Sequence, residues 1–163
     1  MKNRKILFIS FAVIAIAINV LIFIESAMGS ESSSSQSLSF TKLIVDIVTK
    51  IAPNSSIVQD QDKLHHIVRK VFGHFLFFGA SGLFTTLTLL FSGDVYKKRK
   101  METIIFSLSI GATIAAISEF IQIFTPGRAG MFTDILIDFS GYFLFTIIIY
   151  FVLFFINKSK MES

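Results

Sequence analysis

Four long apolar runs alternate with polar segments along the 163-residue chain, at about residues 6–24, 71–91, 103–124 and 135–156. A helix needs about 20 apolar residues to cross the hydrocarbon of a bilayer. Each run meets that length, and each exceeds the usual buried helix of a soluble domain. Because lipid offers no partner to an open backbone, the runs are predicted to be helices. The pattern therefore predicts an all-α, polytopic membrane protein with four transmembrane helices, forming a single domain over residues 1–163. No internal repeat is visible beyond the hairpin of the third and fourth runs.

Between the first two runs the chain is polar over residues 25–70. The stretch "SESSSSQS" reads as a flexible, Ser-rich segment. After it, Leu43, Ile44, Ile47, Val48 and Ile51 recur at helical spacing, with Lys42, Asp46 and Lys50 on the opposite face. This segment is too short and too charged to span. It predicts an amphipathic helix on the outer bilayer surface, or capping the bundle, that ends at Pro53. The first run has a second reading, a cleaved signal peptide with small residues Ala27 and Gly29 near its end. Its apolar core is longer than the about 7–15 residues of such signals.

Composition sharpens the membrane assignment. The chain is 53% hydrophobic with a mean hydropathy of +0.72, and its 20 Phe residues suit lipid-facing and packing positions. It has no cysteine, which excludes disulfides and thiolate chemistry. The net charge is +4, but most basic residues flank apolar runs and form no stripe, so nucleic acid is not an expected partner. With the N-terminus inside, nine Lys and Arg residues fall on the cytoplasmic side and six outside. The cluster Lys97–Lys100 decides the orientation, with Tyr96 as an interfacial anchor. Both termini are then cytoplasmic, and the loop "TPGRAG" faces outward.

Under that topology the costly groups gather at one depth. Lys70 and His74 share a face at the outer end of the second span. Glu119 and Gln122 share one at the end of the third, and Arg128 follows in the loop. Asp134 and Asp138 share a face at the start of the fourth, where a helix N-terminus favours negative charge. Ionisable groups within spans usually face the bundle interior and pair. We therefore expect an outward-opening polar pocket between the last three spans, with Gly73, Gly79, Gly82 and Gly141 permitting close helix approach. At least one carboxylate is expected to contact Arg128, since an unpaired charge at that depth costs at least about 2–3 kcal/mol. His65 and His66, near Asp60 and Asp62, read as solvated loop residues.

The segments "SSSSQS", "RKVFGHFLFFGASG" and "SEFIQIFTPGRAGMFTDILIDFSG", in this order and spacing, resemble the VanZ-like family of small bacterial membrane proteins. The family pattern is a basic residue and His before an aromatic, Ser-Glu-x-x-Gln, Pro-Gly-Arg, and two polar positions before a Gly. Lys70, His74, Glu119, Gln122, Arg128, Asp134 and Gly141 match it, while Asp138 stands where Asn is often expected. The resemblance implies four or more spans in a bacterial cell membrane. For the family's name-giving member it implies reduced susceptibility to teicoplanin, a lipoglycopeptide antibiotic.

Three classes of function follow. In the first, an envelope protein binds a lipid head group or glycopeptide through Lys70, His74, Glu119, Gln122, Arg128, Asp134 and Asp138, and so alters antibiotic susceptibility. Arg128 with Lys70 would hold a phosphate or carboxylate. In the second, a membrane enzyme acts on a lipid-linked substrate, with His74 as proton shuttle and Glu119 as general acid or base. The oxygen ligands of Glu119, Asp134 and Asp138 would suit Mg²⁺ or Ca²⁺ in such an enzyme. In the third, the ion pairs only hold the bundle together. The partners expected are membrane lipids and a lipid-linked or glycopeptide ligand, with no resident metal or cofactor assigned and the oligomeric state left open.

Overall fold

A computed structural model describes residues 2–51, 60–93 and 100–162, and these are helical apart from short turns. Helix α1 covers Lys2–Ala27, α2 Ser30–Ile51 and α3 Gln61–Val68. Helix α3 runs on through a π-helical segment, Arg69–Leu76, into α4, Phe77–Ser92. Helices α5, Lys100–Ile123, and α6, Phe132–Glu162, complete the chain. Four stretches are long and apolar enough to cross a membrane: Asn3–Ala27, Lys63–Ser92, Met101–Ile123 and Phe132–Ile156. Each coincides with one of the predicted runs, the third ending one residue earlier, at Ile123. The second starts at Lys63, well before residue 71, because Asp60 caps the helix there and its Oδ1 accepts from the Lys63 N–H at 3.0 Å. His65 and His66 are thus helical, not in a loop.

Helix α4 is the central member and packs against α1, α5 and α6. Ile22, Phe78, Ile114, Ala115 and Tyr142 form the core between them. The π-segment–α4 helix and α6 approach through glycine. A Cβ at Gly141 would collide with the Phe75 carbonyl oxygen, and one at Gly82 would lie 2.5 Å from the Tyr142 carbonyl oxygen. Gly79 instead faces the Phe145 ring. Gly73 makes no such approach, since the nearest atom to a Cβ there is Arg69 Cγ at 4.0 Å. The outer surface of the bundle is apolar, with Phe106, Phe120, Phe151 and Phe155 among its exposed residues, as lipid-facing helices require.

The Ser-rich stretch is a correction to the sequence reading, because Ser30–Ile51 is one continuous helix. Its start is docked: the Ser30 N–H donates to the Pro126 carbonyl at 3.3 Å, so the α1–α2 corner rests on the α5–α6 loop. Serine is only a mildly poor helix former, at a few tenths of a kcal/mol per residue relative to Ala, so the composition disfavours this helix without forbidding it. The apolar side of α2 is partly uncovered, with Leu43, Ile47 and Ile51 exposed while Ile44 and Val48 are half-buried and the helix packs against α3. Pro53, Tyr96 and residues 97–99 lie outside the described residues. Helix α1 is a packed member of the bundle, where Asn19 Oδ1 accepts from Ser81 Oγ at 2.6 Å.

Candidate functional site

The polar groups gather where the π segment, the end of α5 and the start of α6 meet. The π segment and α6 run in the same direction and are joined by two rungs. Lys70 Nζ donates to Asp134 Oδ1 at 2.6 Å, and His74 Nδ1 lies 2.9 Å from Asp138 Oδ1. Both donors and both acceptors are four residues apart, which sets the rungs in register. Asp138 is fully buried, and its Oδ2 meets no hydrogen-bond partner.

Helix α5 brings Glu119, which is 2% exposed. Its Oε1 accepts from Gln122 Nε2 at 2.8 Å, and its Oε2 from the Met131 N–H at 2.9 Å. The first bond follows from three-residue spacing on one helix. The second arises because the loop folds back over the end of α5. That return places Gly130 against the Glu119 carbonyl oxygen and puts Gly127 in the left-handed region at φ 72°. One ring nitrogen of His74 and one carboxylate oxygen each of Glu119 and Asp134 lie within 4.8 Å of one another. The trio expected for oxygen ligation included Asp138. In the fold Asp138 stands behind His74, which takes its place.

Beside this cluster opens a cavity of about 300 Å³. Its polar lining is Glu25, Ser26, Arg69, His74, Ser118, Gln122 and Arg128, and its apolar wall is Ile22, Val68, Phe72, Phe77 and Phe78. Arg128 Nε is buried without a hydrogen-bond partner. Burial, and then the neighbouring Arg69 charge, push the Arg128 guanidinium below its usual pKa, while Glu25 and Glu119 oppose this. The expected carboxylate contact to Arg128 is absent among the described residues, because Glu119 is occupied by Gln122 and Met131.

The fold thus divides the predicted residues. His74, Gln122 and Arg128 face the cavity. Lys70, Glu119, Asp134 and Asp138 form the cluster beside it, so Lys70 is committed to Asp134 and does not join Arg128. Arg69 joins it instead. Sequence reasoning missed Arg69 because it assumed α-helical spacing throughout. A π-helical turn takes more residues than an α-helical one, which brings Arg69 and His74 to the same side, and both line the cavity. Glu25 and Ser26 were also missed. Their signal is a polar pair at the end of an otherwise apolar run, on the helix left out of the expected pocket. Ser26 Oγ lies 2.7 Å from Ser118 Oγ, and Thr125 Oγ1 donates to the Ser26 carbonyl at 3.0 Å, which ties α1 to α5.

A family model described as VanZ/LLP1 matches residues 11–155 of the chain. No curated protein and no solved structure matches the chain.

Proposed function

The chain belongs to the VanZ/LLP1 family, and from that premise we propose that it is a bacterial cell-envelope protein whose cavity holds the anionic head group of a lipid or lipid-linked molecule. The carrying observation is that Arg69 and Arg128 both line the cavity, with Glu25 as the only carboxylate among the described lining residues. Guanidinium groups suit phosphate and carboxylate recognition in bidentate geometry. The Phe72, Phe77 and Phe78 wall suits the apolar part of the same molecule. A cavity of about 300 Å³ is at the small end of ligand pockets, which favours a head group over a whole glycopeptide. An effect on teicoplanin-type susceptibility would then run through the envelope lipid.

Lipids retained by the purified protein, identified by mass spectrometry, test this reading. The native chain should carry an enriched anionic lipid, and Arg69→Gln with Arg128→Gln should lower its retention at least tenfold. Equal retention by the double variant rejects the reading. The His74–Asp138 pair, with His74 lining the same cavity, favours a second reading as a membrane enzyme on a lipid-linked substrate. Turnover of the retained lipid that His74→Gln removes without altering retention would select it.

We further propose that the cavity opens outward and both termini are cytoplasmic. The support is the basic cluster at residues 97–100. The chain has no cysteine, so introduced ones report cleanly. Ser35→Cys should react with an impermeant reagent in intact cells, and Ser159→Cys should not. The reverse pattern inverts the topology.

A further inference from the structure

We propose that His74, Glu119 and Asp134 form a binding site for a divalent first-row transition cation of the zinc or manganese type. The proposal does not depend on the head-group reading. Three buried side chains from three different helical segments bring one ligand atom each to within 4.8 Å of one another. Ligand atoms about 2.1 Å from a tetrahedral zinc ion lie about 3.4 Å apart, so closure takes movements on the order of 1 Å. Among the described residues no other group of this kind forms.

The surroundings point the same way. Asp138 Oδ1 holds His74 Nδ1 at 2.9 Å, the carboxylate–histidine arrangement that orients an imidazole for a metal and leaves Nε2 as the ligating atom. Charge also argues for a cation. Glu119, Asp134 and Asp138 are three buried carboxylates, and Lys70 supplies one ammonium in direct contact. Counting only the groups in direct contact, and with a neutral imidazole, three carboxylates face one ammonium, and the Arg128 guanidinium acts on Glu119 from beside the cluster, so the site stays net negative and suits a cation. Asp138 Oδ2 is buried and meets no hydrogen-bond partner, which leaves that part of the cluster's negative charge without a donor. One nitrogen and two carboxylate ligands favour zinc or manganese over calcium, which takes oxygen alone. A proton on His74 is the competing counter-charge, and it brings no metal.

The chain has three histidines, so His65→Ala with His66→Ala leaves His74 as the only imidazole without touching the cluster. This variant, purified in nanodiscs with a tag that lacks histidine, is expected to retain about one equivalent of zinc or manganese by elemental analysis. After chelation it should reload with Zn²⁺ at the same stoichiometry, and X-ray absorption should show one imidazole in the shell. Glu119→Gln should lower the retained metal at least tenfold, and Lys42→Gln, on the exposed side of α2, should leave it unchanged. Failure of the two-histidine variant to retain or reload metal overturns the proposal. So does a shell made of oxygen alone, or equal retention after Glu119→Gln.

Discussion

Twelve residues separate two polar layers on the same three helices. In one layer stand His74, Glu119 and Asp134. Twelve residues along each chain segment, or about 18 Å at helical rise, stand Thr86, Ser107 and Thr146. Thr86 Oγ1 lies 2.8 Å from Ser107 Oγ and 3.1 Å from Thr146 Oγ1, and Tyr142 OH is 3.3 Å from Ser107 Oγ. Both layers are buried; the hydroxyl layer bonds α5 and α6 to the helix between them, and the charged layer bonds α6 to that helix and brings Glu119 of α5 alongside. The hydroxyl layer uses neutral groups that bond one another, and an unpartnered group beside it, the buried Thr85 hydroxyl, carries no charge. The charged layer uses five ionisable side chains, one with an unpartnered carboxylate oxygen, and beside it stands a guanidinium nitrogen without a partner. Holding helices together therefore does not require the second arrangement. The extra cost of the charged layer has to be explained by something other than packing, and a bound cation with a bound head group would explain it.

The largest effect expected in the bundle comes from breaking a rung. Asp134→Ala leaves the Lys70 ammonium without its carboxylate. For a fully buried pair the loss is about 3–5 kcal/mol, and because Lys70 is 33% exposed we expect about 2 kcal/mol. Replacing both residues by apolar ones, Lys70→Met with Asp134→Leu, removes the uncompensated charge and should recover most of that stability. Reversible unfolding in mixed micelles, measured for the single and the double variant, provides the check. If Asp134→Ala costs no more than a hydroxyl deletion, the two layers are energetically alike and the contrast fails.

Much of the charged layer was legible in the sequence for a physical reason. An ionisable residue at the end of an apolar run is expensive, so Lys70, His74, Glu119 and Asp134 were visible as groups needing partners. The matched four-residue spacings of Lys70–His74 and Asp134–Asp138 already allowed the two rungs. The partner of Arg128 was not legible. Charge attraction suggested a carboxylate, but the backbone N–H of Met131 reached Glu119 first through a loop closure that no side-chain pattern encodes. Arg69 was hidden by the π-helical register, and Glu25 by its position on the first span. The Ser-rich start of α2 looked flexible because a local reading omits the contact of Ser30 with Pro126. The hydroxyl layer left no mark at all, since Thr and Ser are unremarkable in apolar helices, where their hydroxyls can return to their own backbone. Thr88 and Thr113 do so, at 2.7 and 2.8 Å.

The smallest effect expected is in that second layer. Thr86→Val keeps the shape of the side chain and deletes only the hydroxyl that bridges Ser107 and Thr146. Hydrogen bonds between membrane helices average about 0.6 kcal/mol and reach about 1.7 at most, because the separated helices also find partners. Ser107 retains Tyr142 OH as an alternative, so its own loss is partly offset. Thr146 can turn its hydroxyl to the carbonyl four residues back, as Thr88 does. We therefore expect Thr86→Val to cost about 0.5–1 kcal/mol in the same unfolding measurement, with lipid retention and metal content unchanged. A cost near that of Asp134→Ala would mean that the hydroxyls act as one cooperative unit. An unchanged stability with altered lipid retention would mean that the two layers are coupled across the about 18 Å between them. In either case the neutral layer would be more than a spacer, and the division of labour between the two ends of the bundle would have to be redrawn.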